Sequence, residues 1–285
     1  MCRFIKIKRT DFSIENILIW VAYILVSLFF MFPVLWVISL SFKTTAEVFA
    51  YPPNLIPKNI TINNFIEVLK NTSMFQYILN SFKLVLFTVV GTLLVAIPAG
   101  YSFSRFTFKN KNKLLFAILV FQMVSPIIIG IPLYRYYSSL GLLNSYFGLI
   151  MAYIAIQVPF ATFLLKGGFD NIPQEIDEAA KIDGATRIQL LTKIIVPVSL
   201  PSIASAIIFI SINSWAQFLL PYLLLNKDKF YPVSVGILMA QGTFQQISTH
   251  LIEAASVLSL IPAIILVLFL QKFILKALTS GAVKG

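Results

Sequence analysis

Long apolar runs alternate with short polar connections along this chain, and the run lengths decide what the runs are. A bilayer core about 30 Å thick needs roughly 20 apolar residues per helix. Six stretches meet that demand: 17–40, 77–100, 114–134, 146–165, 200–225 and 254–274. Pro and Gly interrupt most of them. Pro126, Gly130 and Pro132 fall in the third, Pro159 in the fourth, Pro221 in the fifth and Pro262 in the sixth, so breaks are predicted there. Prolines survive inside spans where neighbouring helices satisfy the freed carbonyls. Two connections stand out. Residues 43–76 carry Pro52, Pro53 and Pro57 and end in a helix-like pattern at 63–69. Residues 166–193 hold five acids and four bases between the fourth and fifth runs. The pattern predicts an all-α, polytopic membrane protein with six transmembrane helices over 17–275.

Composition and charge set its orientation. Hydrophobic residues make up 58% of the 285-residue chain and charged residues 12%, with a mean hydropathy of +0.88. An ordinary soluble domain carries roughly 25% charged residues. The first run exceeds a signal-peptide core of roughly 7 to 15 residues and is expected to stay as a helix. Short loops rich in Lys and Arg face the cytoplasm. Segment 1–16 holds Arg3, Lys6, Lys8 and Arg9, the loop after the second run holds Arg105, Lys109, Lys111 and Lys113, and the last residues hold Lys272, Lys276 and Lys284. With Lys166, Lys181, Arg187 and Lys193, one side collects fifteen of the 22 basic residues. Both termini, segment 1–16 and tail 276–285, are therefore expected in the cytoplasm, with the spans in the plasma membrane. The net charge of +11 is accounted for by topology, and no nucleic-acid partner is needed. Cys2 is the sole cysteine, so neither an internal disulfide nor a cysteine-based metal site is available.

Polar side chains at membrane depth are costly and should face protein or water. Gln122 and Ser125 lie in the third run, Gln157 in the fourth, and Ser211, Asn213, Ser214, Trp215 and Gln217 in the fifth. Asn213 and Gln217 are four apart and would share a helix face. Uncharged amides beside an aromatic ring suit a sugar, whose hydroxyls need donors and acceptors while its C–H faces stack on rings. The alternative is interhelical hydrogen bonding. Gln122, Asn213, Trp215 and Gln217 are the candidate substrate pathway. No Asp, Glu or His chain crosses the membrane interior as ion-coupled carriers require. His250 and Glu253 sit only at the outer mouth of the last run.

The polar stretch 167–199 reads as two short helices at an angle. Asn171 is the expected cap of the first, with Pro173 in its opening turn. Glu175, Asp177 and Glu178 lie near the positive end of its dipole. Asp183-Gly184 ends it, since glycine accepts a left-handed turn. A second helix over 185–195 carries Ile188, Leu191 and Ile195 on one stripe. Ala179 and Ala180 are small enough to let a partner approach the backbone closely.

Glu178-Ala179-Ala180, three residues, Gly184, nine residues, then Ile194, Val196 and Pro197 resembles the EAA loop of bacterial ABC importer permeases. Val196 stands where that pattern has Leu. The resemblance implies the type I ABC importer permease fold with cytoplasmic coupling helices, and makes Glu178, Ala179, Ala180, Asp183, Gly184 and Pro197 the ATPase-coupling residues. Gln271-Lys272-Phe273 and the stretch 277–285 are similar to the C-terminus of the smaller permease subunit of maltose-type carbohydrate importers. There the tail enters the ATPase dimer interface, which implies contacts for Ser280, Gly281 and Lys284. Asn213-Ser214-Trp215 and Gln217 to Pro221 resemble the family's Trp-Asn-x-Phe-x-x-Pro region, with Ala216 replacing its polar residue. Residues 232–257, including Gln241, Gly242 and Phe244, resemble the outer loop that approaches the binding protein.

The implied assembly is a heterodimer with a second, related permease. Two ATP-binding subunits dock beneath it, and an extracellular or periplasmic solute-binding protein delivers a carbohydrate through a lipid bilayer. No P-loop is present, so ATP and Mg would sit on the partner ATPase. No cofactor, metal or catalytic residue is expected on this chain. The rival readings are an ABC permease for a non-sugar solute, an ion-coupled carrier and an intramembrane protease.

Overall fold

Residues 14–243 and 249–282 are described by a computed structural model, and no strand occurs among them. The helices are α1 (Ile14–Ser41), α2 (Thr45–Val48), α3 (Asn63–Asn71), α4 (Met74–Arg105), α5 (Lys111–Gln122), α6 (Pro126–Ser139), α7 (Tyr146–Asp170) and α8 (Gln174–Ile182). They continue with α9 (Arg187–Gln189), a π-helical turn Leu190–Ile195, α10 (Val196–Val198), α11 (Leu200–Ala216), α12 (Leu219–Leu224), α13 (Val233–Thr243) and α14 (Thr249–Ala282). Four of them, α1, α4, α7 and α14, are each long and apolar enough to cross a membrane, and bent pairs raise the number to as many as six.

The bundle is built on α4 and α7. Gly100 lets their backbones approach: a Cβ there would lie 3.1 Å from the Leu165 Cβ and 3.2 Å from the Lys166 nitrogen. α11 packs against both members of this pair and α14 packs against α11, while α1 leans on α14 with its apolar side chains exposed. One core gathers Ala96, Ala161, Leu165, Phe169, Leu190 and Ile195 at the end where α4 meets α8, the elbow end. A second surrounds Leu84, Leu149 and Tyr153. A third joins Val68, Met74, Tyr77 and Leu251 at the far end. There, Asn64 Nδ2 donates to the Ser41 and Lys43 carbonyls, each at 2.8 Å, pinning the connection that contains α3.

Proline breaks two of the expected spans but not the others. The run 114–134 is not one rod: α5 and α6 meet at 89°. Pro126 holds Ser125 in an extended conformation (ψ 132°), and the Ser125 hydroxyl accepts from the Ile127 nitrogen at 3.4 Å to start α6. The run 200–225 is interrupted at Gln217, whose backbone is extended (ψ 118°). Gln217 is the residue four before Pro221, where the proline ring would strike the helical carbonyl. Pro159 and Pro262, by contrast, sit inside unbroken α7 and α14.

Candidate functional site

Between α7 and α11 the chain leaves the bundle, turns and returns, and its two turns are specified residue by residue. Asn171 does not cap α8. It caps the end of α7, its Nδ2 donating to the Gly167 carbonyl at 3.0 Å. α8 starts instead after Pro173 with no side-chain cap, and Glu175 and Asp177 occupy its first turn, where the helix dipole favours acids. At its other end Gly184 takes φ +79°. Ala185 N–H donates to the Ala180 carbonyl at 3.0 Å and Gly184 N–H to the Lys181 carbonyl at 3.1 Å. These are the two bonds of a Schellman stop, which requires a left-handed residue at that position.

The following helix is launched by a capping box. The Thr186 hydroxyl accepts from Gln189 N–H at 3.3 Å, and the Gln189 side-chain Oε1 accepts from Thr186 N–H at 2.9 Å. The helix then widens into the π turn, and this changes which residues face inward. Leu190 (1% exposed) and Ile195 (0%) are buried, whereas Ile188 is 75% exposed. The expected stripe of Ile188, Leu191 and Ile195 is therefore replaced by one running through Leu190, Leu191, Ile194 and Ile195. The segment Arg187–Val198 meets α11 at 80°.

Of the candidate coupling residues, Glu178, Ala179, Asp183, Gly184 and Pro197 are exposed. Ala180 is not: at 5% exposure it packs into the chain's own core beside Leu190. Two large apolar side chains flank Gly184 with nothing over them, Ile182 (86% exposed) and Ile188 (75%).

The end of α4 grips this elbow, which the sequence pattern left unread. Arg105 Nε lies 2.7 Å from the Asp177 carboxylate, both side chains 6% exposed. Arg105 Nη2 donates to the Ile172 carbonyl at 2.9 Å. Next to it, the Arg187 guanidinium lies 5.4 Å over the Phe106 ring. A cavity of about 140 Å³ separates the two arms, lined by Tyr101, Arg105, Asp177, Glu178, Lys181 and Arg187. The available signal was slight: a basic residue closing the second run and an acid directly before Glu178.

The candidate pathway residues do not converge. Gln122, at the end of α5, lines a cavity of about 290 Å³ with Phe121, Leu133, Tyr137, Ala152 and Leu220. Trp215 lines a separate groove of about 370 Å³ between α11 and α14, and packs edge-on against Phe82 of α4 at 5.1 Å. Asn213 is exposed, its Nδ2 donating to the Phe209 carbonyl one turn back. Gln217 lies beyond the end of α11, so it does not continue a helical face with Asn213. Gln157 and Ser214 act as interhelical glue, 3.5 Å apart and buried.

Gln241 and Gly242 belong to the backbone of α13, and Ser280 and Gly281 to that of α14. Phe244 and Lys284 lie outside the described residues. Among the described residues no three His, Cys, Asp or Glu side chains cluster as metal ligands would.

Residues 93–280 match the family described as binding-protein-dependent transport system inner membrane component. The chain is 32% identical to the trehalose/maltose transport system permease protein MalG of Thermococcus litoralis, covering 95% of this chain and 98% of the relative. It is 34% identical to the trehalose transport system permease protein SugB of Mycobacterium tuberculosis, over 90% and 93% of the two chains. It is 31% identical to the sulfoquinovosyl glycerol transport system permease protein SmoH of Agrobacterium fabrum, over 90% and 89%. The fold is shared with a bacterial ABC transporter that imports the acidic polysaccharide alginate: TM-score 0.75, 23% identity, 93% of this chain and 99% of that one.

Proposed function

The chain belongs to the binding-protein-dependent transport system inner membrane components, and from that premise we propose that it is one permease subunit of an ATP-driven carbohydrate importer. The observation that carries the proposal is the elbow. An apolar, membrane-spanning bundle extends a polar helix pair, seals one side of it into its core, and leaves Glu178, Ala179, Asp183 and Gly184 open between bare Ile182 and Ile188. Apolar side chains exposed on a polar tip mark a protein–protein contact. The partner that fits is a soluble ATPase, whose closure would push on Gly184 and its two helices.

The rest of the assembly follows from this role. The elbow lies in the cytoplasm, with two ATP-binding subunits beneath it. A second, related permease faces this one across the pathway, and a binding protein delivers solute at the far end. Carbohydrate is favoured by the names of three relatives in different organisms. This subunit makes and breaks no bond. It converts ATPase closure into an exchange between inward-open and outward-open arrangements, which requires that ATP-bound ATPase bind one arrangement better than the other.

The test is reconstitution of the chain in vesicles with its second permease, ATPase and binding protein. ATP inside the vesicles should drive uptake of a trehalose, maltose or related oligosaccharide, and omission of the ATPase should abolish it. Uptake without the ATPase, or uptake confined to non-sugar solutes, would overturn the proposal.

A further inference from the structure

We infer that the buried Arg105–Asp177 pair is a strut that makes the elbow and α4 move as one body, so that α4 carries ATPase motion to the far side of the membrane. The inference rests on the reading of the elbow as the ATPase dock, and names the element that delivers the push.

Four contacts fasten the elbow to a helix that is not its neighbour in sequence, one of them the Tyr101 hydroxyl donating to the Asp177 carboxylate at 3.5 Å. The Arg105–Asp177 ion pair at 2.7 Å fixes α8. The Arg105 Nη2 bond to the Ile172 carbonyl at 2.9 Å fixes the entry to α8. Arg187 over Phe106 fixes the second arm. A buried charge pair tolerates little displacement, because separating it leaves an uncompensated charge in a low-dielectric setting. Sliding α8 relative to α4 is therefore disfavoured, while moving both together costs the pair nothing.

The far end of α4 is fastened just as firmly. Tyr77 donates to the Asp228 carboxylate. Asn80 Nδ2 donates to the Lys229 and Tyr231 carbonyls at 3.0 Å each, and the Ser81 hydroxyl accepts from Val233 N–H at 2.8 Å. Those partners form the connection that leads into α13, the element expected to meet the binding protein. Phe82 meanwhile rests against Trp215 of the candidate pathway. Phe82 and Arg105 are separated by about 35 Å along one helix at about 1.5 Å per residue. One unbroken helix, continuous through Pro98, thus joins the ATPase dock to Trp215 and to the segment facing the binding protein. Arg105 and Asp177 are positioning residues, since neither need touch nucleotide or sugar.

The experiment uses the complete reconstituted complex with Cys2 replaced by Ser and Ile182 by Cys, so that cross-linking of residue 182 to the ATPase reports docking. Asp177→Asn keeps shape and removes charge. The expected result is normal subunit recovery and cross-linking, with the stimulation of ATP hydrolysis by sugar-loaded binding protein reduced about tenfold. Asp177→Glu should restore at least half of that stimulation. Asp170→Asn, which removes the exposed ion pair with Lys166 but keeps an oxygen to accept from the Ser104 hydroxyl, should leave it unchanged. Wild-type stimulation in Asp177→Asn would overturn the strut while leaving the dock intact. Loss of complex recovery in Asp177→Asn, or an equal defect in Asp170→Asn, would overturn it in favour of a fold-stabilising role. Absence of cross-linking in the Ile182→Cys parent would sink the dock reading itself.

Discussion

Gly184 is the residue on which the elbow turns, and its backbone states why. At φ +79° an L side chain is strained by roughly 1–2 kcal/mol, and proline, fixed near φ −65°, cannot adopt the conformation at all. Nothing lies within 4 Å of where a Cβ would stand, so the constraint is conformational and not steric. Gly184→Ala should therefore keep most of the sugar-stimulated ATP hydrolysis of the assembled complex. Gly184→Pro should abolish it while leaving membrane insertion intact; full stimulation in the proline variant would remove Gly184 as the pivot. This position was legible in the sequence because Asp-Gly after a helical pattern has one common meaning. The surroundings of Ala180 and Asn171 are less legible for a related reason. Sequence says that a small residue can approach something, or that an amide can cap something, without saying what. Ala180 approaches its own core, and Asn171 caps the helix behind it instead of the one ahead.

Helices were predictable where apolar length decided them, and less so where hydrogen-bond partners did. α4, α7 and α14 occupy the expected runs because around 20 apolar residues leave few alternatives. The breaks at Met123–Ser125 and at Gln217 depend on a proline whose effect on the chain varies with its neighbours, as unbroken α7 and α14 show. The π turn at Leu190–Ile195 was hidden altogether, since a periodicity argument assumes 3.6 residues per turn and cannot register an extra one. What fixes the register of that arm is its start. Loss of the Thr186 cap in Thr186→Ala should cost about 1 kcal/mol of local stability. The expected readout is faster hydrogen exchange of the amides of residues 187–190 in the purified complex, with those of α7 unchanged. Unaltered exchange at 187–190 would show that packing of Leu190 and Ile195, and not the capping box, holds the arm. The pair Arg105–Asp177 belongs to this scale too. It joins residues 72 positions apart, and only the approach of α4 to α7 at Gly100 brings their two elements together.

For the molecule as a whole, the proposed function requires the elbow to share one side of the membrane with the ATPase and the far-end connection to lie on the other. The distribution of Lys and Arg supports that orientation: the elbow, the loop after α4 and the two terminal segments together hold fifteen of the 22 basic residues, whereas residues 43–76 hold three. A chain with a single native cysteine makes the question directly measurable. In a Cys2→Ser background, Ile182→Cys places a thiol at the bare elbow tip, and Tyr51→Cys places one on the far-end connection, where the native side chain is 95% exposed. A membrane-impermeant maleimide added to intact cells should label residue 51 and spare residue 182. Added to inside-out vesicles, it should do the reverse, except where a docked ATPase shields residue 182. Shielding that disappears when the ATPase is stripped from the vesicles would locate the motor on the elbow. Labelling of residue 182 in intact cells would put the elbow outside, where no ATPase could reach it, and the importer reading would fall.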